Sequence, residues 1–134
     1  MELFATPMQN PREERLKLAQ AIALMERLSG RVLGTQNDKA KNSGTGESGQ
    51  MDCIDESTNT TTYLTLFERR SWLKWHRVRD KVVRRPFFFD IHWTAVIQEN
   101  QTGQVFAVDS WFRENGKEPL ILKLEDWKLK KELP

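Results

Sequence analysis

Residues 92–109 constrain this chain more than any other stretch. His92-Trp93-Thr94-Ala95-Val96-Ile97 and Gln104-Val105-Phe106-Ala107-Val108-Asp109 are two runs rich in β-branched and aromatic residues, separated by a polar stretch that contains Gly103. That is the pattern of a β-hairpin. Both faces of the hairpin are mostly apolar, so it predicts an interior position rather than a solvated edge.

The hairpin also places two ionisable residues together. Pairing Ile97 with Gln104 sets Val96 opposite Val105, Thr94 opposite Ala107 and His92 opposite Asp109, all pairs whose numbers sum to 201. The loop is then Glu99 to Thr102, closed by a Gln98 and Gly103 pair. Opposed residues of antiparallel strands share a face, with Cβ atoms about 4.5–5.5 Å apart. An aspartate there accepts a hydrogen bond from one imidazole nitrogen, fixes the tautomer, and leaves the other nitrogen to face a nucleophile.

The nucleophile is sought among few residues, because the chain has a single cysteine, Cys53. One cysteine makes no internal disulfide, so Cys53 is either a buried thiol or a reactive one. Cys53, Ser57, Thr60, Leu64 and Phe67 recur at spacings of 4, 3, 4 and 3, as one face of a helix over 53–70. The Thr60-Thr61-Thr62 run costs that helix roughly 1–2 kcal/mol of propensity, which packing of the Leu64 and Phe67 face offsets. A thiol in the first turn of a helix is activated by the helix amides and by a neighbouring histidine, and the same amides can donate to an oxyanion.

Around this centre the chain reads as one domain over 1–134, its 134 residues being short for two cores. Asn10, Pro11 and Glu13 open a helix over 11–29, with Leu18, Ile22 and Met25 in a stripe widened by Leu24 and Leu28, and Gly30 as its cap. Residues 36–50 are dense in Gly, Ser and Asn and predict a flexible loop before the nucleophile. Trp72–Val78 and Val82–Phe89 suggest two strands turning at Arg79-Asp80-Lys81. Leu120–Leu124 reads as one more strand, followed by Trp127 packing on the domain and a frayed end over 128–134. Helix, loop, helix and then strands imply an α+β fold with N-terminal helices on an antiparallel sheet.

Charge narrows the partners. The 21 Lys+Arg against 19 Asp+Glu leave a formal charge of +2, which argues against a nucleic-acid binder. No apolar run reaches membrane-spanning length, and residues 1–10 lack a secretory leader, so the default expectation is cytoplasmic, or periplasmic if a leader has been removed.

Gly49-Gln50-Met51-Asp52-Cys53, the small Ser57 one turn later, His92-Trp93-Thr94-Ala95-Val96 and Val108-Asp109-Ser110-Trp111 resemble the Cys, His and Asp blocks of the transglutaminase-like and papain-like cysteine enzymes. The resemblance is to the bacterial transglutaminase-like cysteine proteinases in particular, and covers about residues 49–112. It implies a papain-like (transglutaminase-core) fold in which Cys53 is the nucleophile, His92 the general base and acid, and Asp109 the residue that orients it. Gln50 is an oxyanion candidate by analogy with papain-like enzymes, and Trp93 and Trp111 are candidates for lining the substrate site. The activity implied is a cysteine-dependent hydrolase or acyltransferase acting on amide carbonyls of a protein or peptide. Neither cofactor nor metal is called for.

Two other readings compete. His76 is the rival histidine, with no acidic residue nearby in sequence to orient it except Asp80. The basic run Lys74, Arg77, Arg79, Lys81, Arg84 and Arg85 is most simply the solvated side of a hairpin. It offers the alternative of a non-catalytic binding module whose hairpin 74–85 engages an anionic partner.

Overall fold

The computed structural model describes the backbone of residues 2–6, 8–33, 46–84, 92–110 and 118–129, and their side chains except at 2, 30–33 and 46–53. Helix α1 (Pro11–Leu33) starts where the sequence places it, since the Glu13 N–H donates to Asn10 Oδ1 at 2.8 Å. It runs through Gly30, because among the described glycines only Gly103 has a positive φ, so the chain makes no left-handed cap there. Leu18, Ala21 and Ile22 are wholly buried, and Met25 packs beside them. Leu28 leaves the expected stripe and is 46% exposed. Ten residues after Leu18 it lies about 80° round the helix from the core face.

Helix α2 (Gly46–Arg69) begins seven residues before Cys53, which corrects both the loop expected to reach Gln50 and the helix start expected at 53. The rest of that loop, 36–45, lies outside the described residues. Ser57, Thr60, Leu64 and Phe67 form the buried face at the spacing foreseen. The threonine run is accommodated because Thr61 and Thr62 donate back to the carbonyls of Ser57 and Thr58, at 2.7 and 2.9 Å. The helix closes at Ser71, whose φ of 61° is left-handed; Trp72 N–H reaches back to the Phe67 carbonyl at 3.0 Å. Trp72 also packs on the ring of Phe67 and stacks on Phe4 of a short helical turn at Glu2–Phe4.

The sheet is a four-stranded antiparallel meander, β1 (His76–Arg84), β2 (His92–Glu99), β3 (Val105–Asp109) and β4 (Leu120–Lys123), in that spatial order. The fold is thus α+β, with helices on an antiparallel sheet. The two strands expected on either side of Arg79-Asp80-Lys81 are one strand: what read as a turn is a bulge, between the Arg79–Val96 and Val82–Thr94 pairs. One extra residue there reverses the alternation, so His76 and Val78 face α1 and α2 whereas Val82 and Arg84 face the other side. Residues 85–89 of the second expected strand lie outside the described residues.

The two faces have separate cores. Ala95, Ile97, Phe106 and Val108 pack under Leu18, Ile22, Leu64 and Phe67. Ala107 and Leu122 pack with Trp127 of the short helix α3 (Leu124–Lys128), beside Val82 and Leu124. Trp127, expected to pack on the domain, is wholly buried. Of the end expected to fray, residues 130–134 lie outside the described residues.

Candidate active site

The hairpin expected from the sequence is present, with its register moved by two residues. Ala95 pairs with Val108, Val96 with Ala107, Ile97 with Phe106 and Gln98 with Val105, so paired numbers sum to 203 rather than 201. The cause is Gly103. Its φ of 78° belongs to the loop, where its N–H donates to the Glu99 carbonyl at 2.9 Å while Glu99 N–H donates to Gln104 at 2.8 Å. The four-residue loop is therefore Asn100–Gly103. A two-residue shift preserves the face of every side chain, and so His92 and Asp109 still share one.

They meet on a diagonal. His92 Nε2 donates to Asp109 Oδ2 at 2.7 Å, with both side chains almost wholly buried. Trp127 Nε1 donates to the same Oδ2 at 2.9 Å, and its ring lies 5.7 Å from that of His92. Arg84 stands over the Trp127 ring at 4.5 Å and donates to the Trp127 carbonyl at 2.7 Å. With the His92 proton on Nε2, Nδ1 is the basic nitrogen of the neutral ring.

This cluster occupies the α3 face of the sheet, whereas α2 packs on the opposite one. Thr60 Oγ1 and Ser110 Oγ share a hydrogen bond of 3.0 Å across the α2 face at the end of β3, and Lys81 donates to Thr58. Cys53 lies seven residues before Thr60, about 10 Å further along the helix axis from the Thr60–Ser110 contact, on the side away from Leu64. Its position continues the Ser57, Thr60 and Leu64 stripe by one turn, while its side chain lies outside those described. The early start of α2 places Cys53 two turns inside it. Only the first four amides of a helix lack internal partners, so those expected to activate the thiol and receive an oxyanion belong to residues 46–49 instead.

The other candidates divide. Trp93 projects from the α2 face, half-buried, with the Lys81 ammonium 5.6 Å from its ring, so it does not share the face of His92. The Gln50 side chain and Trp111 lie outside the described residues. Of the basic run, Arg77 donates to Gln98 and Lys81 to Thr58, but Arg84 is 5% exposed and belongs to the core on the α3 face. Among its described residues the run is therefore divided between the surface and the interior, while Arg85 lies outside the described residues.

Sequence reasoning missed the partner of His76. Its Nδ1 donates to the wholly buried Glu14 at 2.9 Å, and Arg15 donates to its Nε2 at 3.1 Å. Arginine carries only donors, so Nε2 accepts and the proton sits on Nδ1. Glu14 also accepts the Lys74 and Trp75 backbone N–H groups, at 2.7 and 2.9 Å. Burial lowers the Arg15 guanidinium below its ordinary value; Glu99 opposes this and Arg12 adds to it. The four-sided arrangement ties α1 to the start of β1. Glu14 lies 62 residues from His76, so no local spacing announces the pair.

Among the described residues no group of three His, Cys, Asp or Glu is arranged to hold a metal ion, and no helix is long and apolar enough to cross a membrane. No family model matches the chain, and comparison with curated proteins and with solved structures finds no match.

Proposed function

We propose that this protein is a cysteine-dependent hydrolase or acyltransferase of papain-like (transglutaminase-core) build, with Cys53, His92 and Asp109 as its catalytic residues. The observation that carries the reading is the buried His92–Asp109 hydrogen bond. In this mechanism the thiol meets His92 Nδ1 round the end of β2. His92 takes the thiol proton and the thiolate attacks an amide carbonyl carbon. The tetrahedral intermediate collapses to a thioacyl-enzyme as the imidazolium gives its proton to the departing amine. Water or a second amine then attacks the acyl carbon, with His92 as base, and the thiol is released. Asp109 accepts from Nε2–H throughout, fixing the tautomer of the neutral ring and stabilising the imidazolium. With Cys53 two turns inside α2, activation of the thiol rests on His92 rather than on helix amides. A protein or peptide is the substrate class.

A second reading is favoured by the placement of the His92 cluster on the face away from α2. In it His92, Asp109 and Trp127 clasp α3 to the sheet, Cys53 is an ordinary thiol, and the exposed Arg79 and Arg77 engage an anionic partner.

The rate of iodoacetamide alkylation of Cys53 against pH separates the two, measured for the wild type and His92→Ala, with circular dichroism to show that both are folded. The catalytic reading expects the wild type to react at about pH 6, well below the free-thiol pKa of about 8.5, and His92→Ala to lose that reactivity. Superimposed curves with midpoints near 8.5 overturn it in favour of the binding module.

A further inference from the structure

The Asp109 oxygen that receives His92 has a second N–H aimed at it. Trp127 Nε1 donates to Oδ2 at 2.9 Å from an indole that is wholly buried. The indole is itself held, by the Arg84 guanidinium 4.5 Å over its ring and by the 2.7 Å hydrogen bond from Arg84 to its carbonyl. Arg84, Trp127, Asp109 and His92 thus form one chain of contacts through β1, α3, β3 and β2.

We propose that Trp127 is a positioning residue of the dyad, whose indole N–H pins Asp109 Oδ2 where it holds the His92 proton on Nε2 and leaves Nδ1 as the base. The register explains why such a pin is needed. In the 203 register Asp109 is level with Thr94, two residues along β2 from His92, so its carboxylate must lean along the strand to meet the ring. Two donors converging on one oxygen, from an imidazole and an indole in fixed planes, define both its position and its lean. An indole that merely filled space would satisfy its N–H with any carbonyl within reach, as the half-buried Trp75 does with that of Met8. The inference rests on the catalytic reading for the use made of the dyad, but positioning of the ring is measurable on its own.

The test uses Trp127→Phe, which keeps an aromatic ring for the contacts with Arg84 and His92 and removes the N–H. The 134-residue chain is labelled with nitrogen-15, and its two imidazoles are read by long-range proton–nitrogen correlation at about pH 8, where an ordinary imidazole of pKa about 6.5 is neutral. The wild type should show His92 as the Nε2–H tautomer and His76 as the Nδ1–H tautomer. In Trp127→Phe the His92 pattern should move toward the average of the two tautomers while His76, held by Glu14 and Arg15, stays as it was. Cys53 alkylation at about pH 6 should fall about tenfold, as expected for loss of one hydrogen bond worth about 1.4 kcal/mol. An unchanged His92 pattern overturns the proposal. Should Trp127→Phe not fold, the wild type still decides: the Trp127 indole proton, donated to a carboxylate, must resonate downfield of a free indole and exchange slowly with solvent, and a free-indole position overturns the proposal. If the His92 pattern moves while wild type and His92→Ala alkylate alike, the positioning role stands and the catalytic reading fails.

Discussion

Asp109 Oδ2 lies 2.7 Å from His92 Nε2 although the two residues are not opposite one another in the β2–β3 register. A diagonal pair on one face of an antiparallel ladder has Cα atoms about 7–8 Å apart, within reach of an imidazole and a short carboxylate. The pairing therefore depends on the face the residues share and on the lean of the carboxylate, and each makes a prediction.

Asp109→Asn replaces one acceptor oxygen by an amide while preserving shape. The variant should fold, with a stability cost of about 1–3 kcal/mol in urea unfolding. On the catalytic reading it should lose on the order of 10⁴ in turnover of an acyl-donor probe by favouring the wrong His92 tautomer. Turnover within tenfold of wild type would contradict the role given to Asp109.

Glu14 accepts two backbone N–H groups and the His76 imidazole from a site with no exposure. Glu14→Leu leaves those donors buried without an acceptor and should cost about 3 kcal/mol or more, against about 1–2 for Glu14→Gln, which keeps one oxygen. Urea midpoints with equal slopes measure the difference, and equal costs for the two variants would refute this account of the clasp.

Arg84 and Arg79 belong to one basic run and should behave oppositely. Arg84→Ala removes a buried cation from the Trp127 ring and a hydrogen bond from its carbonyl, for about 2 kcal/mol or more. Arg79 is exposed, and Arg79→Ala should stay within about 0.5 kcal/mol of wild type. Thermal unfolding of both variants checks the ranking.

Two positive-φ positions should respond in opposite directions. Ser71→Gly relieves a left-handed serine at the end of α2 and should stabilise by about 0.5–1 kcal/mol. Gly103→Ala should destabilise by about 1 kcal/mol through φ alone, because the added Cβ would meet Gln98 Nε2 at an ordinary 3.7 Å. Any stabilisation by Gly103→Ala would contradict the loop geometry that fixes the register.

Local chemistry in the sequence determined the capped start of α1 at Asn10, the helical face through Ser57, Thr60, Leu64 and Phe67, the interior hairpin, and the common face of His92 and Asp109. Each follows from a period of 3.6 or 2 or from a cap, and these act over a few residues. Tertiary structure alone decided the two-residue register, through a left-handed Gly103, and the bulge at Asp80-Lys81 that turns Arg84 inward. It also decided the long-range partners, Glu14 for His76 across 62 residues and Trp127 for Asp109 across 18. The α-helical start at Gly46 likewise went against a composition rich in glycine and serine, which by local propensity favours a loop. Periodicity assigns a side chain to a face, but which residue from a distant element arrives on that face depends on how the whole sheet is packed.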